Sequence, residues 1–194
     1  MVKFLRRSRD DDAEFYRGLD SDLVEELRAA ENKGQEAVAE VVLRKIGILQ
    51  SKEKKIRLLE NLSRFSDPWV CAVLLQLLAD PREEMRDTAA RQLAEREDCP
   101  MEKLYARLLR PPWYVKSAIL RILARRKNPQ SVRPIKAVLN DSNADVKCTA
   151  AQALEAIGGQ EARVLLVYLA KDKNAYVRAA ASEALEKICD FKFI

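Results

Sequence analysis

The chain has 194 residues, of which 48% are hydrophobic and 34% are charged, and its formal net charge is +5. Enough apolar residues are present to form a core, which excludes a disordered chain. Histidine is absent, so His-assisted nucleophilic catalysis and imidazole metal sites are excluded. A high charge combined with few glycines is typical of helices that have one apolar face and charged outer faces.

The first 34 residues form a segment of their own. The stretch MVKFLRRSR mixes apolar and basic residues; we interpret it as a basic tail, and weak contact with an anionic membrane is the alternative. Asp20 or Ser21 is a suitable N-cap, and Lys33-Gly34 is a suitable helix end. We therefore predict a tail and a helical cap with a polar outer face over residues 1–34.

From residue 35 onward, the predicted helices come in pairs. The first pair is predicted over 36–49 and 52–65, and shorter helices over 70–80, 101–110, 131–141 and 161–172, each with a partner helix after it. Helix-breaking residues separate the pairs at 66–68, 98–100, 127–129 and 158–159. This pattern predicts helical hairpins joined by short connections.

The pairs repeat at a nearly constant period. NADVKCTAAQALEAIGG (143–159) and NAYVRAAASEALEKICD (174–190) share eight identical positions. One leucine slot recurs at spacings of 31, 30, 31 and 31 residues, in Leu62, Leu93, Leu123, Leu154 and Leu185. A single hairpin cannot bury both its faces, whereas stacked hairpins bury them against one another. We predict an all-α solenoid of about five hairpins over 35–66, 67–97, 98–127, 128–158 and 159–190.

The recurring pattern EA-x(6)-L-x-x-D-x(4)-VR-x-x-AA-x-AL resembles the short HEAT-like repeats, also called PBS-lyase HEAT-like repeats. In the last copy it is matched by Glu161, Ala162, Leu169, Asp172, Val177, Arg178, Ala180, Ala181, Ala184 and Leu185. The resemblance covers about residues 35–190 and implies a right-handed HEAT-like solenoid. It also implies an adaptor, scaffold or regulatory subunit; a minority of such proteins bind DNA or act in phycobilin attachment.

Residue types that carry other chemistry are scarce. No pair of cysteines has C-x-x-C spacing and no secretory signal is apparent, so we expect reduced thiols and a cytoplasmic protein. No apolar stretch has the length of a membrane span. We expect no enzyme activity, no catalytic residues, no metal and no cofactor. The apolar tail 191–194 is expected to fold back over the last hairpin, with a dimer or partner contact as the alternative.

An acidic slot recurs at the end of each first helix. It holds Asp80, Asp141 and Asp172, and a basic residue follows six positions later. The resemblance implies that such Asp and basic residues form a ladder between neighbouring repeats. In the third copy, Arg110 replaces the acid, which leaves positive charge without its usual partner.

The break lies in a basic segment. From Lys103 to Lys136 there are ten basic residues and no acidic one. In solenoids of the resembling family, the second helix of each pair lines the concave face. On helix 113–126, Arg121 and Arg125 are one turn apart and are predicted to point outward together. Aromatic residues beside arginine are common binding anchors, and the sequence PPWY precedes this helix.

These observations define a candidate partner-binding surface of seven residues: Arg91, Arg110, Trp113, Tyr114, Lys116, Arg121 and Arg125. Our main functional hypothesis is a non-enzymatic module that binds an acidic protein or peptide through this surface. Binding of nucleic acid phosphates by the same residues is the first alternative, and a phycobilin lyase-like role, by analogy of fold alone, is the second. A solvated charged face without a partner is the structural alternative.

Overall fold

The computed structural model describes residues 21–109 and 112–190, and within these ranges it contains eleven α-helices, two 3₁₀ helices and no strand. The prediction of an all-α fold is confirmed. The predicted basic tail, Arg110 and the apolar tail 191–194 lie outside the described residues.

The helices follow one another in the predicted pairs. They are α1 (Ser21–Glu31), α2 (Gln35–Ile48), α3 (Lys52–Asn61), α4 (Pro68–Leu77), α5 (Glu83–Glu95), α6 (Met101–Leu108), α7 (Trp113–Arg126), α8 (Val132–Lys136), α9 (Ala144–Ile157), α10 (Gly159–Leu169) and α11 (Ala175–Asp190). The chain divides into two compact units, Met1–Val73 and Leu74–Ile194, and the division falls within α4.

In the first unit, α1 packs on α2. Leu23 and Leu27 of α1 are buried, because they share one helical face with Ala30. Arg44 of α2 forms an ion pair with Glu26 of α1, with 2.5 Å between Nη2 and Oε2. The predicted helical cap therefore contains a real helix, and its amphipathic pattern decides which face it buries.

In the second unit, α5 packs on α7, α7 on α9 and α9 on α11, while α6 and α10 pack against this row. Leu93, Leu123 and Leu154 are fully buried, because each belongs to the recurring apolar face of a second helix. Leu185, the equivalent residue in α11, is partly exposed. The repeat therefore recurs because each second helix presents the same face to its neighbour.

The turns between first and second helices also repeat. The Asp141 carboxylate accepts a hydrogen bond from the Asn143 N–H at 2.9 Å, and the Asp172 carboxylate accepts one from the Asn174 N–H at 2.8 Å. The Asn143 side chain in turn caps α9 by accepting from Asp145 N–H at 2.8 Å. The recurring D-x-N sequence thus encodes the turn and the start of the next helix.

The helix predicted over 131–141 is shorter than expected. Only Val132–Lys136 is α-helical, and the N–H groups of Ala137, Val138 and Leu139 donate to carbonyls three residues earlier. The segment continues as tight turns rather than as an α-helix, yet Val138 and Leu139 remain buried. The predicted burial of the apolar residues is therefore correct, whereas the predicted α-helical hydrogen bonding is wrong beyond Lys136.

The expectation of reduced thiols is wrong for two cysteines. Cys71 and Cys99 each take part in a disulfide, whereas the Cys148 thiol is free. A cytoplasmic location therefore does not follow from the cysteines. Over the described ranges, no helix combines the length and the apolar character required to cross a bilayer.

Candidate interaction surface

Two rungs of a charge ladder link neighbouring hairpins in the second unit. Lys116 Nζ lies 2.6 Å from Asp141 Oδ2, and Lys147 Nζ lies 2.7 Å from Asp172 Oδ2. The Lys147 side chain is only 6% exposed, so its ammonium needs this partner. The ladder implied by the family resemblance is present, and it occupies Lys116, one of the seven candidate partner-binding residues.

Where the acid is missing, an arginine replaces the lysine and bonds to its own turn. Arg86 Nη1 donates to the carbonyls of Asp80 and Pro81, both at 2.9 Å. Its guanidinium also lies over the Tyr114 ring, 5.1 Å from the centroid, in a cation–π contact. In the two rungs of the ladder, the equivalent cation is paired with an aspartate. Here the ring of Tyr114 contacts the Arg86 guanidinium instead.

The ladder aspartates titrate abnormally. Burial alone would raise the pKa of Asp141, but the Lys116 hydrogen bond and the Asn143 N–H outweigh it and lower that pKa. The Lys147 hydrogen bond, followed by the Asn174 N–H, lowers the pKa of Asp172. Because the folded-state pKa is below the unfolded value of about 3.9, each carboxylate stabilises the fold above that pH and loses this contribution as pH falls toward the folded pKa.

We expect Asp172→Asn to flatten the acid side of the stability profile. At pH 7 the variant should unfold at a lower urea concentration than the native chain, because Lys147 loses its charged partner. Below about pH 4, the difference between the two urea midpoints should shrink. Equal loss of stability by both proteins between pH 5 and pH 2 would contradict the prediction.

Several residues of the basic segment 103–136 are engaged in structural contacts within the protein. Arg107 Nη2 donates to the Gln76 side chain at 3.1 Å and to the Leu75 carbonyl at 3.4 Å. Lys116 is held in the ladder. A run of basic residues in the sequence therefore overstates the charge that is available to a partner.

Arg126 is the clearest structural member of the segment. Its guanidinium donates to the carbonyl of Leu93 at 2.6 Å, to that of Cys99 at 2.9 Å and to that of Arg96. Burial lowers the pKa of Arg126, while nearby Asp98 opposes the change. One side chain of α7 thus satisfies carbonyls at the end of α5 and in the turn beyond it.

Three of the seven candidate residues line one cavity between α5 and α7. This arginine cavity has a volume of about 330 Å³ and is lined by Arg91, Arg121 and Arg125, together with Asp87, Thr88, Ala90, Ala94 and Ile122. All three arginines are exposed, whereas Ile122 is buried. The predicted orientation of α7 is therefore correct: its apolar face packs inward and its arginines face the cavity.

The aromatic candidates lie away from this cavity. Trp113 is 47% exposed and meets Tyr114 edge to face, with 5.9 Å between the ring centroids. Trp113 precedes Arg121 by eight residues, which is about 12 Å along a helix, and it does not line the arginine cavity. The candidate surface therefore has two parts, a basic cavity and an aromatic step at the start of α7.

The acidic and small residues of the cavity were not among the predicted site residues. Asp87, Ala90 and Ala94 of α5 line it, and their spacing of three and four residues places them on one helical face. That spacing was readable in the sequence.

Among the described residues, no group of three or more Cys, Asp or Glu side chains is placed to hold a metal ion.

The packed helix pairs and the ladder define an α-helical repeat protein. The family model described as HEAT repeats matches residues 101–186, so this segment of the chain is similar to HEAT repeats. The resemblance stated from the repeat residues is thereby confirmed.

The solved structures that this chain matches are remote in sequence. Two designed armadillo repeat proteins, one of them in complex with the peptide (KR)4, are 16% and 17% identical, with TM-scores of 0.46 and 0.48; 92% of this chain and 98% of each designed chain are covered. An engineered protein is 20% identical, with a TM-score of 0.43 and coverage of 93% and 96%. No curated protein matches the sequence.

Proposed function

We propose that the protein is a non-enzymatic interaction module that binds an acidic protein or peptide through the arginine cavity. The observation that carries the proposal is the convergence of Arg91, Arg121 and Arg125 on one cavity of about 330 Å³. A guanidinium presents a planar set of donors that matches a carboxylate in two parallel hydrogen bonds. An adaptor, scaffold or regulatory subunit would use such a cavity to select one acidic side chain of its partner.

The charge of the cavity supports an acidic partner. The lining contains three arginines and a single acidic residue, Asp87, so its net charge is positive. Across the parts of the chain that the structure describes, neither Arg121 nor Arg125 forms an ion pair, in contrast to Lys116 and Lys147 of the ladder. Their guanidinium groups are therefore hydrated in the free protein and are accessible to an external carboxylate.

Trp113 and Tyr114 are proposed as a further contact at the start of α7. An exposed tryptophan beside a basic surface provides apolar area to a partner at low entropic cost. Lys116 contributes only through its field, because its ammonium is bonded to Asp141. Arg110 lies outside the described residues and stays a prediction from the sequence.

The experiment that tests the proposal compares two polyanions. A fluorescein-labelled glutamate-rich peptide and a labelled DNA duplex of equal total charge are titrated with the protein at several salt concentrations. We expect the peptide to bind and the duplex to bind more weakly. For the nucleic acid alternative, the duplex would bind more tightly, and its affinity would fall with salt at a log–log slope of about −0.9 for each phosphate contacted. Tighter binding of the duplex with that slope would overturn the proposal.

A further inference from the structure

A second cavity lies in the same unit, at the ends of α7, α9 and α11. This C-terminal cavity has a volume of about 610 Å³ and is lined by Lys127, Glu155, Ala156, Gly158, Gly159, Gln160, Arg163, Lys187 and Ile188. It is about twice as large as the arginine cavity, at about 330 Å³. None of the ladder residues lines it.

The shape of this cavity follows from two glycines. Gly158 and Gly159 have φ values of +73° and +87°, and an added Cβ would meet nothing within 4 Å at either position. The chain needs this left-handed backbone to turn from α9 into α10. The absence of both side chains leaves open space beside Ala156 and Ile188, which form an apolar part of the wall.

The charges of the C-terminal cavity favour an anionic group at its edge. Lys187 is neutralised by Glu183 at 2.8 Å and by Glu155 at 3.6 Å. Over the described part of the chain, neither the Lys127 ammonium nor the Arg163 guanidinium has an acidic partner. The cavity therefore combines an apolar wall with two cations that have no counter-charge from the described chain.

The two cavities lie on the same face of the helix row. Arg125 lines the arginine cavity, and the residues 31 and 62 positions later, Ala156 and Lys187, line the C-terminal cavity. These three residues occupy one repeat slot on α7, α9 and α11, which pack in that order. Neighbouring helices are about 10 Å apart, so the cavity centres are about 15–20 Å apart. An extended peptide covers that distance with about five residues.

We infer that the two cavities are subsites for one partner: an extended acidic segment whose apolar side chain enters the C-terminal cavity about five residues from the acidic residue bound by Arg121 and Arg125. This inference rests on the proposed function. In the C-terminal cavity, the apolar side chain packs against Ala156 and Ile188, and an acidic residue beside it faces Lys127 and Arg163. The pair of subsites makes the module selective for a pattern of residues rather than for negative charge alone.

The test uses two labelled peptides of equal length and charge. Each carries acidic residues at both ends of a Gly-Ser spacer of about five residues; one has leucine beside one acidic end and the reference has serine there. Both chain orientations are made, because the repeat slot does not define the direction of the peptide. Burial of a leucine side chain should make the leucine peptide bind about tenfold more tightly.

Variants of the protein test whether the leucine of the peptide binds in the C-terminal cavity. Ala156→Phe fills the C-terminal cavity and should reduce the leucine preference to less than about twofold, with the affinity for the serine peptide unchanged. Ala179→Phe, at an exposed position of α11 outside the cavity lining, is the matched control and should keep the preference. Lys127→Glu combined with Arg163→Glu should weaken the leucine peptide without adding bulk to the cavity.

The outcomes separate this inference from the proposed function. Equal binding of both peptides would overturn the second subsite and leave the arginine cavity intact. A leucine preference that survives Ala156→Phe would overturn the placement of the side chain. Failure of both peptides to bind would overturn the proposed function and the inference together.

Discussion

Charge reversal of Arg121 and Arg125 is expected to abolish binding of the glutamate-rich peptide. Arg121→Glu/Arg125→Glu replaces two of the three arginines in the cavity with carboxylates, so attraction becomes repulsion. Loss of charge-assisted hydrogen bonds costs about 1.5–3 kcal/mol each, which corresponds to a fall in affinity of at least about a hundredfold. Fluorescence anisotropy of the labelled peptide measures the change.

The control for this variant carries the same change in net charge. Arg133→Glu/Lys136→Glu reverses two exposed cations of the same basic segment, but these lie on α8, outside the arginine cavity. We expect it to bind the peptide within about threefold of the native affinity, because its charges act only through a screened field. If both variants lost binding equally, the net charge of the segment, and not the cavity, would be responsible.

Arg126→Ala is expected to destabilise the protein by about 2–4 kcal/mol. The substitution removes the donors that satisfy the carbonyls of Leu93, Arg96 and Cys99, and partly buried carbonyls without partners are costly. Urea unfolding followed by far-UV circular dichroism measures the effect. Arg126→Lys should recover less than half of the loss, because one ammonium cannot reach three separate carbonyls.

The neighbouring arginine is the natural control. Arg125→Ala should change the free energy of unfolding by less than about 0.5 kcal/mol, since its side chain is exposed, while it weakens peptide binding. Two adjacent arginines of one helix would thus separate stability from recognition. Equal destabilisation by Arg125→Ala and Arg126→Ala would contradict the division of roles that the hydrogen bonds indicate.

The helical hairpins were predictable from the sequence because their causes are local. The spacing of Val115, Ile119 and Ile122 has the helical period, and α7 buries all three. Helix breakers mark the boundaries between pairs, and the recurring leucine slot requires neighbours with the same face. The helix at 131–141 was the exception, because apolar spacing does not report whether N–H groups bond three or four residues back.

The disulfide-bonded cysteines and the contact of Arg86 could not be predicted from local sequence patterns. Nothing in the sequence around Cys71 or Cys99 indicates a disulfide, because neither cysteine belongs to a C-x-x-C pair. The missing acid at position 110 was readable in the sequence, but the contact that takes its place was not. Arg86 lies over Tyr114 because α5 packs on α7. The two residues are far apart along the chain, so no local pattern indicates their contact.

The sequence by itself determined that this protein is built from repeated amphipathic helix pairs, and it placed Arg121 and Arg125 on the outward side of α7. Only the tertiary structure decided which basic residues remain accessible. Arg107, Lys116 and Arg126 lie in the same acid-free run, yet they are bonded to groups 25 to 33 residues away. Such partners are set by helix packing, so no local pattern separates a structural arginine such as Arg126 from a recognition arginine such as Arg125.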